Sequence, residues 1–259
     1  YEMLLPGFAL VLARIAGLML AVPMFSSSQL PRPIKIGLVL SLALMVFPAV
    51  SPSLPNSLTL GQAAAGILGE FVIGEVIGLG AGLIFFGAQF AGKMISHQTG
   101  MALGAVFNPV FDAESTVLDQ IWFFTALLFF LALHGHLAVV EVVLGSFEKV
   151  PPLTLWPGGL TAEFFASILQ SIFEMAVRLA TPTILALSLT LLSLGVLMKT
   201  MPQFNILSVG FSLKIVIGIF IMSVTIGVSD GVMTDALAEG LDHVGLWLDE
   251  VSEGVIHAG

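Results

Sequence analysis

Apolar residues run through this chain in long blocks rather than short alternations. Six blocks reach the roughly 20 apolar residues that a membrane helix needs: 3–24, 34–50, 63–92, 121–145, 166–198 and 206–228. The second is short and is expected to end at Pro48. The third and fifth exceed one bilayer thickness, so tilted helices, or helices that do not simply cross lipid, are expected there. In the third block Gly74, Gly78 and Gly82 recur every four residues, a ridge of small residues along which helix backbones can approach closely. Packing inside one subunit and packing against a protein neighbour both account for such a ridge. Beyond Asp230 the pattern changes. Leu237, Leu241, Val244, Leu248, Val251 and Val255 step by four and three, with Asp235, Glu239, Asp242, Asp249, Glu250 and Glu253 off that stripe. This spacing predicts an amphipathic helix with an acidic polar face. Anionic lipid would repel that face, so the stripe is expected to pack on protein, of this chain or another.

One segment between the blocks fits no helix pattern. Gln98 to Phe111 carries Gly100 and Gly104, which weaken a helix, and Asn108-Pro109, which favours a turn. It also carries Met101, Phe107 and Phe111, which need apolar surroundings, while Asp112, Glu114 and Asp119 follow as a candidate hydrated rim. Irregular backbone at membrane depth survives only where protein buries it or where it lines a cavity. Residue chemistry leaves two readings open. One is a re-entrant loop buried against its own helices. In the other, deformable Met and bulky Phe close a conduit and the glycines permit the backbone change of opening.

Composition and charge narrow the class. Of 259 residues, 57% are hydrophobic and 10% charged; soluble domains carry about 25% charged residues, so the chain is read as an integral membrane protein. The net charge is −9, and the segment from Asp230 to Glu253 is rich in acids and has no Lys or Arg, which excludes a nucleic-acid role. Cysteine is absent, excluding disulfides and thiolate metal or redox sites. The opening block lacks the basic region and cleavage site of a signal peptide and is expected to be retained; without an initiator Met the sequence reads as trimmed. Arg32 and Lys35, Lys93 and Lys199 fall in the first, third and fifth connections, and only Lys149 in an even one. Those odd connections are therefore expected in the cytoplasm and the termini outside it.

Charges inside apolar blocks are the candidates for chemistry. Arg14, Glu70, Glu75, His134, His136, Glu141, Glu174, Arg178 and Lys214 each need a partner or water, because an isolated charge in the bilayer costs a few kcal/mol. Glu174 and Arg178 stand i, i+4 in the favoured order and are expected to pair. An ion relay through Glu70, Glu75 and Glu141 would suit a stand-alone ion-coupled transporter, although no charge cluster recurs in matching halves. His134 and His136 point about 200° apart on a helix and would need a break at Gly135 to share a metal, so no metal site is expected. No phosphate-binding, dinucleotide or hydrolase motif is present, and the chain is read as a non-enzyme without cofactor.

Five short strings give the chain a resemblance. Leu12-Ala13-Arg14-Ile15-Ala16-Gly17-Leu18 leads to Pro23-Met24-Phe25-Ser26-Ser27 and Leu30-Pro31. Gln98-x-Gly100 with Phe107-x-Pro109, and Ala132-Leu133-x-Gly135-His136-Leu137, follow in order. Pro202-Gln203-x-Asn205, then Gly210-Phe211-x-Leu213-Lys214, complete the set. Any one string is weak; all of them in this order resemble the FliR/SctT family of type III secretion export gates, over nearly the whole chain.

The resemblance implies an all-α membrane subunit with long, bent helices, part of a helical pore assembly in the bacterial inner membrane at the flagellar basal body. It implies a FliP-like portion over 1–165, with a central plug loop at about 98–119, and a FliQ-like hairpin over 166–229. The hairpin tip would lie around Lys199, Pro202, Gln203 and Asn205 on the cytoplasmic side, and the acidic amphipathic helix would occupy 230–259. The implied partners are FliP, FliQ and FlhB-like subunits, unfolded protein substrates and membrane lipid. The implied plug falls on Gly104 to Asp119, with Phe107 and Phe111 as its apolar contacts; Met101 and Gly100 join it on chemical grounds. Asn108 stands where the family pattern has Asp, and Asn supports the same turn.

Overall fold

The computed structural model describes residues 4–26, 31–50, 60–102, 116–154, 162–200 and 206–258. All the regular elements among them are helices: α1 (Leu4–Ala21), α2 (Pro23–Ser26), α3 (Arg32–Val50), α4 (Leu60–Thr99) and α5 (Val117–Ala132), then α6 (Gly135–Lys149), α7 (Ala162–Thr200), α8 (Ile206–Gly227) and α9 (Asp230–Ala258). Four of them, α3, α4, α7 and α8, are long and apolar enough to cross a membrane, and the α5–α6 pair adds a fifth if read as one broken span.

The six expected blocks are thus redrawn, each for a local reason. The first block breaks at Val22, since Pro23 disfavours helical geometry in the residue before it, and α1 proper is too short to cross by itself. The second runs on through Pro48 to Val50. The fourth is split at His134, which adopts a left-handed conformation (φ 56°) before α6 begins. The third grows to the 40 residues of α4, about 60 Å of helix against a hydrocarbon core of about 30 Å.

The residues form two compact units. The first combines residues 1–83, 134–170 and 237–259. Its core joins Leu10, Ile15 and Leu18 of α1 to Val76 and Ile77 of α4 and to Val244, Trp247 and Val251 of α9, all nearly inaccessible to solvent. The glycine ridge is used here, within one chain. A Cβ placed on Gly74 would lie 1.9 Å from the Arg14 carbonyl oxygen, so α1 and α4 cross backbone to backbone. Gly78 faces Leu18 and Ala21 of α1, and Gly82 is buried. Gly80 of α4 and Gly240 of α9 meet reciprocally, each facing the other's carbonyl oxygen. Leu237, Val244, Leu248 and Val251 of the α9 stripe are buried, its acids are exposed, and Trp247 packs on Phe164 of α7. Of the two expectations for this stripe, packing on the chain itself is the one the first unit shows.

Burial of α1 also places Arg14 in the first unit's interior, fully inaccessible. Its Nε donates to Glu70 Oε2 at 2.6 Å, Nη1 to Ser146 Oγ at 2.9 Å and Nη2 to the Val150 carbonyl at 3.0 Å. The guanidinium lies 3.9 Å from the centre of the Phe147 ring, and the second Glu70 oxygen accepts from the Leu153 N–H at 3.2 Å. All three nitrogens of the planar guanidinium donate, a fork that a lysine could not reproduce.

The second unit combines residues 84–133 and 171–236. Phe85 of α4 packs against Phe123 and Phe130 of α5, and Phe90 stacks edge-on against Phe173 of α7 at 4.9 Å. Gly87 faces Met175 of α7. Glu174 and Arg178 form the expected i, i+4 pair at 2.5 Å, on a half-exposed face.

Candidate functional site

The second unit organises both ends of the central loop. α4 runs two residues into the segment that the sequence assigned to the loop and ends at Thr99. Gly100 then takes φ 88°, a conformation other residues adopt at a cost, and its N–H donates to the Ser96 carbonyl at 3.1 Å. This is the left-handed glycine stop of a helix C-terminus. The Ala102 N–H returns to the same carbonyl at 3.3 Å, so Met101 sits in a closed turn, half-buried. Thr99 is fully buried, its hydroxyl donating to the Ser96 carbonyl at 3.0 Å.

The returning end is held at the same place. Thr116 caps α5, and the Asp119 carboxylate accepts from the Thr116 N–H at 2.7 Å, the reciprocal half of a capping box. Ser96 Oγ hydrogen-bonds Thr116 Oγ1 and donates to Asp119 Oδ1 at 3.3 Å; the Thr116 hydroxyl also donates to that carboxylate. Ser96 and Asp119 are both buried. Close approach is possible because α4 offers Gly92 there: a Cβ at that position would fall 2.5 Å from Asp119 Cα. The described residues on either side of 103–115 are therefore tied to one buried polar stem.

α7 and α8 brace the stem as well. Gln98 Nε2 reaches Ser188 Oγ at 3.5 Å, and Lys214 Nζ donates to the Gln98 carbonyl at 3.3 Å. A cation at the last turn of α4 both satisfies an orphan carbonyl and complements the helix dipole. Gly218 of α8 lies against the Thr99 methyl group.

Of the residues singled out for the loop, Gly100 and Met101 belong to this stem. Gly104, Phe107, Asn108, Pro109 and Phe111 lie outside the described residues. Lys199 is exposed in the last turn of α7, whereas Pro202, Gln203 and Asn205 also lie outside the description. Ser96, Thr99, Thr116 and Ser188 escaped sequence reasoning, because a hydroxyl in an apolar block is read as helix-compatible. The Thr116-x-x-Asp119 spacing before an apolar run was the one legible signal.

The buried charges sort differently from the relay reading. Glu70 is committed to Arg14 and Leu153. Glu75 is half-buried, and Glu141 is exposed. The break before Gly135 brings the His134 and His136 ring centres to 6.3 Å, with both side chains exposed.

Fold and stem together define a multi-pass membrane protein, helical in all the regular elements of its described residues, with a buried polar stem at the end of α4. Comparison with known proteins then places it: the family of bacterial export proteins, family 1, matches residues 5–240, and the chain belongs to that family. It is 28% identical over 229 residues to the flagellar biosynthetic protein FliR of Bacillus subtilis (strain 168), covering 87% of this chain and 88% of that protein. It is 30% identical over 220 residues to FliR of Escherichia coli (strain K12), covering 82% and 81%. FliR of Caulobacter vibrioides matches at 26% over 235 residues, covering 90% and 94%. The resemblance read from the short motifs holds over most of the chain.

Proposed function

We propose that this chain is an export-gate subunit of the flagellar type III secretion system, a multi-pass inner-membrane protein that helps to form the conduit for unfolded substrates. Membership of the bacterial export family and similarity to flagellar FliR proteins support the class. It acts as a structural channel component rather than an enzyme. The observation that carries the mechanism is the buried stem of Ser96, Thr116 and Asp119, which ties both ends of 103–115 to α4. A loop anchored at a rigid base and carrying Phe107 and Phe111 can close a conduit to ions and swing aside without unthreading its ends.

In this reading the plug runs from Gly104 to Asp119, with Phe107 and Phe111 as its apolar contacts and Thr116 and Asp119 at its base, and Gly100 and Met101 are its hinge. The gate partners are FliP-, FliQ- and FlhB-like subunits. Residues 1–165 correspond to a FliP-like portion, 166–229 to a FliQ-like hairpin with its tip near Lys199 and Asn205, and 230–259 to the acidic helix. A stand-alone ion-coupled transporter fits less well, because Glu70 is tied up in a structural ion pair.

Deleting 104–115, or replacing Phe107 and Phe111 by Ala, should let small ions leak across membranes that contain the assembled gate, read as dissipation of an imposed potential. An assembled gate that stays tight in both variants would overturn the plug.

A further inference from the structure

The first unit contains a groove of about 320 Å³ between α1, α2 and α3. Leu12, Ala16 and Met19 of α1, Phe25 of α2 and Val39 of α3 form its apolar wall. Its one charged lining residue is Lys35, whose Nζ is bonded only to a neutral acceptor, the Ser26 carbonyl at 3.1 Å. Arg32 lies one turn earlier on the same helix, exposed and without an ion-pair partner among the described residues. No Asp or Glu occurs anywhere from residue 3 to residue 69, and Glu70, the next acid, is occupied by Arg14. Among the described residues, then, two cations without an ion-pair partner stand on α3, Lys35 in the groove wall and Arg32 one turn away.

We propose that this groove holds an acyl chain of an anionic phospholipid, with the headgroup phosphate on Lys35 and Arg32. The apolar wall suits a hydrocarbon chain. An apolar cavity of about 150 Å³ takes benzene, so 320 Å³ holds on the order of a dozen hydrocarbon carbons. Chemistry decides the headgroup. Basic sites beside membrane helices attract anionic lipid. The start of α3 adds the positive end of its dipole to the two side chains. Hydrocarbon burial alone confers no preference, since the bilayer is equally apolar. Selectivity must therefore come from Arg32 and Lys35.

The full chain in phosphatidylcholine nanodiscs, doped with phosphatidylglycerol bearing a photoactivatable acyl chain, tests this. Adducts should map to peptides containing Leu12–Met19 and Val39, and unlabelled phosphatidylglycerol should compete about tenfold better than phosphatidylcholine. The double variant Arg32→Gln/Lys35→Gln should erase that preference. Ala16→Phe, which fills the groove, should remove the adducts there while labelling of α7 and α8 persists. Equal competition by the two lipids, adducts spread evenly over all exposed helices, or groove residues that cross-link to a protein subunit instead of lipid would each overturn the proposal.

Discussion

Arg14 illustrates how a single residue can cost or stabilise depending on what tertiary structure brings to it. In an apolar block it reads as a liability; in the fold it joins α1, α4, α6 and the turn after α6 through three hydrogen bonds and a ring contact. Removing one partner leaves the other buried and unpaired, which costs about 3–5 kcal/mol. Arg14→Met and Glu70→Gln should each lower the thermal midpoint of the detergent-solubilised protein sharply, and Arg14→Lys should rescue it only in part. Buried hydroxyls give a contrasting pair. Thr183 Oγ1 is buried with no hydrogen-bond partner among the described residues, so Thr183→Val should leave stability unchanged or raise it by about 1 kcal/mol. Ser96→Ala removes a bonded hydroxyl from the loop stem and should destabilise, and in an assembled gate it should produce a partial ion leak. The same thermal-shift series and leak assay read both.

At the scale of elements, α4 is the organising helix. It packs against α1 and α9 in the first unit and against α5, α7 and α8 in the second, and glycines mark the tightest contacts. Gly74→Ala and Gly80→Ala should therefore destabilise, because backbone atoms stand where the new methyl would go. Gly69→Ala on the same helix meets open space and should stabilise by up to about 1 kcal/mol through helix propensity. Stability curves for the three variants separate contact from propensity. α9 carries a second expectation. Val244, Trp247, Leu248 and Val251 are each nearly fully buried. At about 1.5–3 kcal/mol per side chain they account for on the order of 6 kcal/mol or more, comparable with the whole stability of a domain. A chain truncated at Leu237 should fail to accumulate in membranes, rather than fold and merely lose a partner; normal accumulation would contradict the packing.

Across the whole molecule, apolar surface is distributed unevenly. α4 is largely enclosed, whereas α3, α7 and α8 leave most of their span exposed. Leu189, Leu192 and Val196 of α7 and Val216 and Phe220 of α8 are each about two-thirds exposed. Such faces suit lipid or a neighbouring subunit and are insoluble in water. Unlike Thr183, other hydroxyls on these helices are satisfied locally, Thr181 donating to the Val177 carbonyl and Thr225 to the Ile221 carbonyl, and add no polar cost. Co-production with FliP- and FliQ-like proteins should raise the yield of monodisperse material, and the chain alone should be poorly behaved in mild detergent. A monodisperse monomer that behaves identically with and without them would argue against assembly through these faces.

The sequence by itself determined the class of molecule, because hydrophobic blocks longer than a bilayer and a scarcity of charge admit few solutions in water or lipid. It also determined the acidic amphipathic helix and the Glu174–Arg178 pair, both of which are local in sequence. Only the tertiary structure decided which acid neutralises Arg14 and what covers the α9 stripe. It likewise decided that Ser96, Thr116 and Asp119 form one stem. Those are contacts between residues far apart in the chain or on different helices, and helical periodicity fixes which face a residue occupies but not which helix comes to meet it.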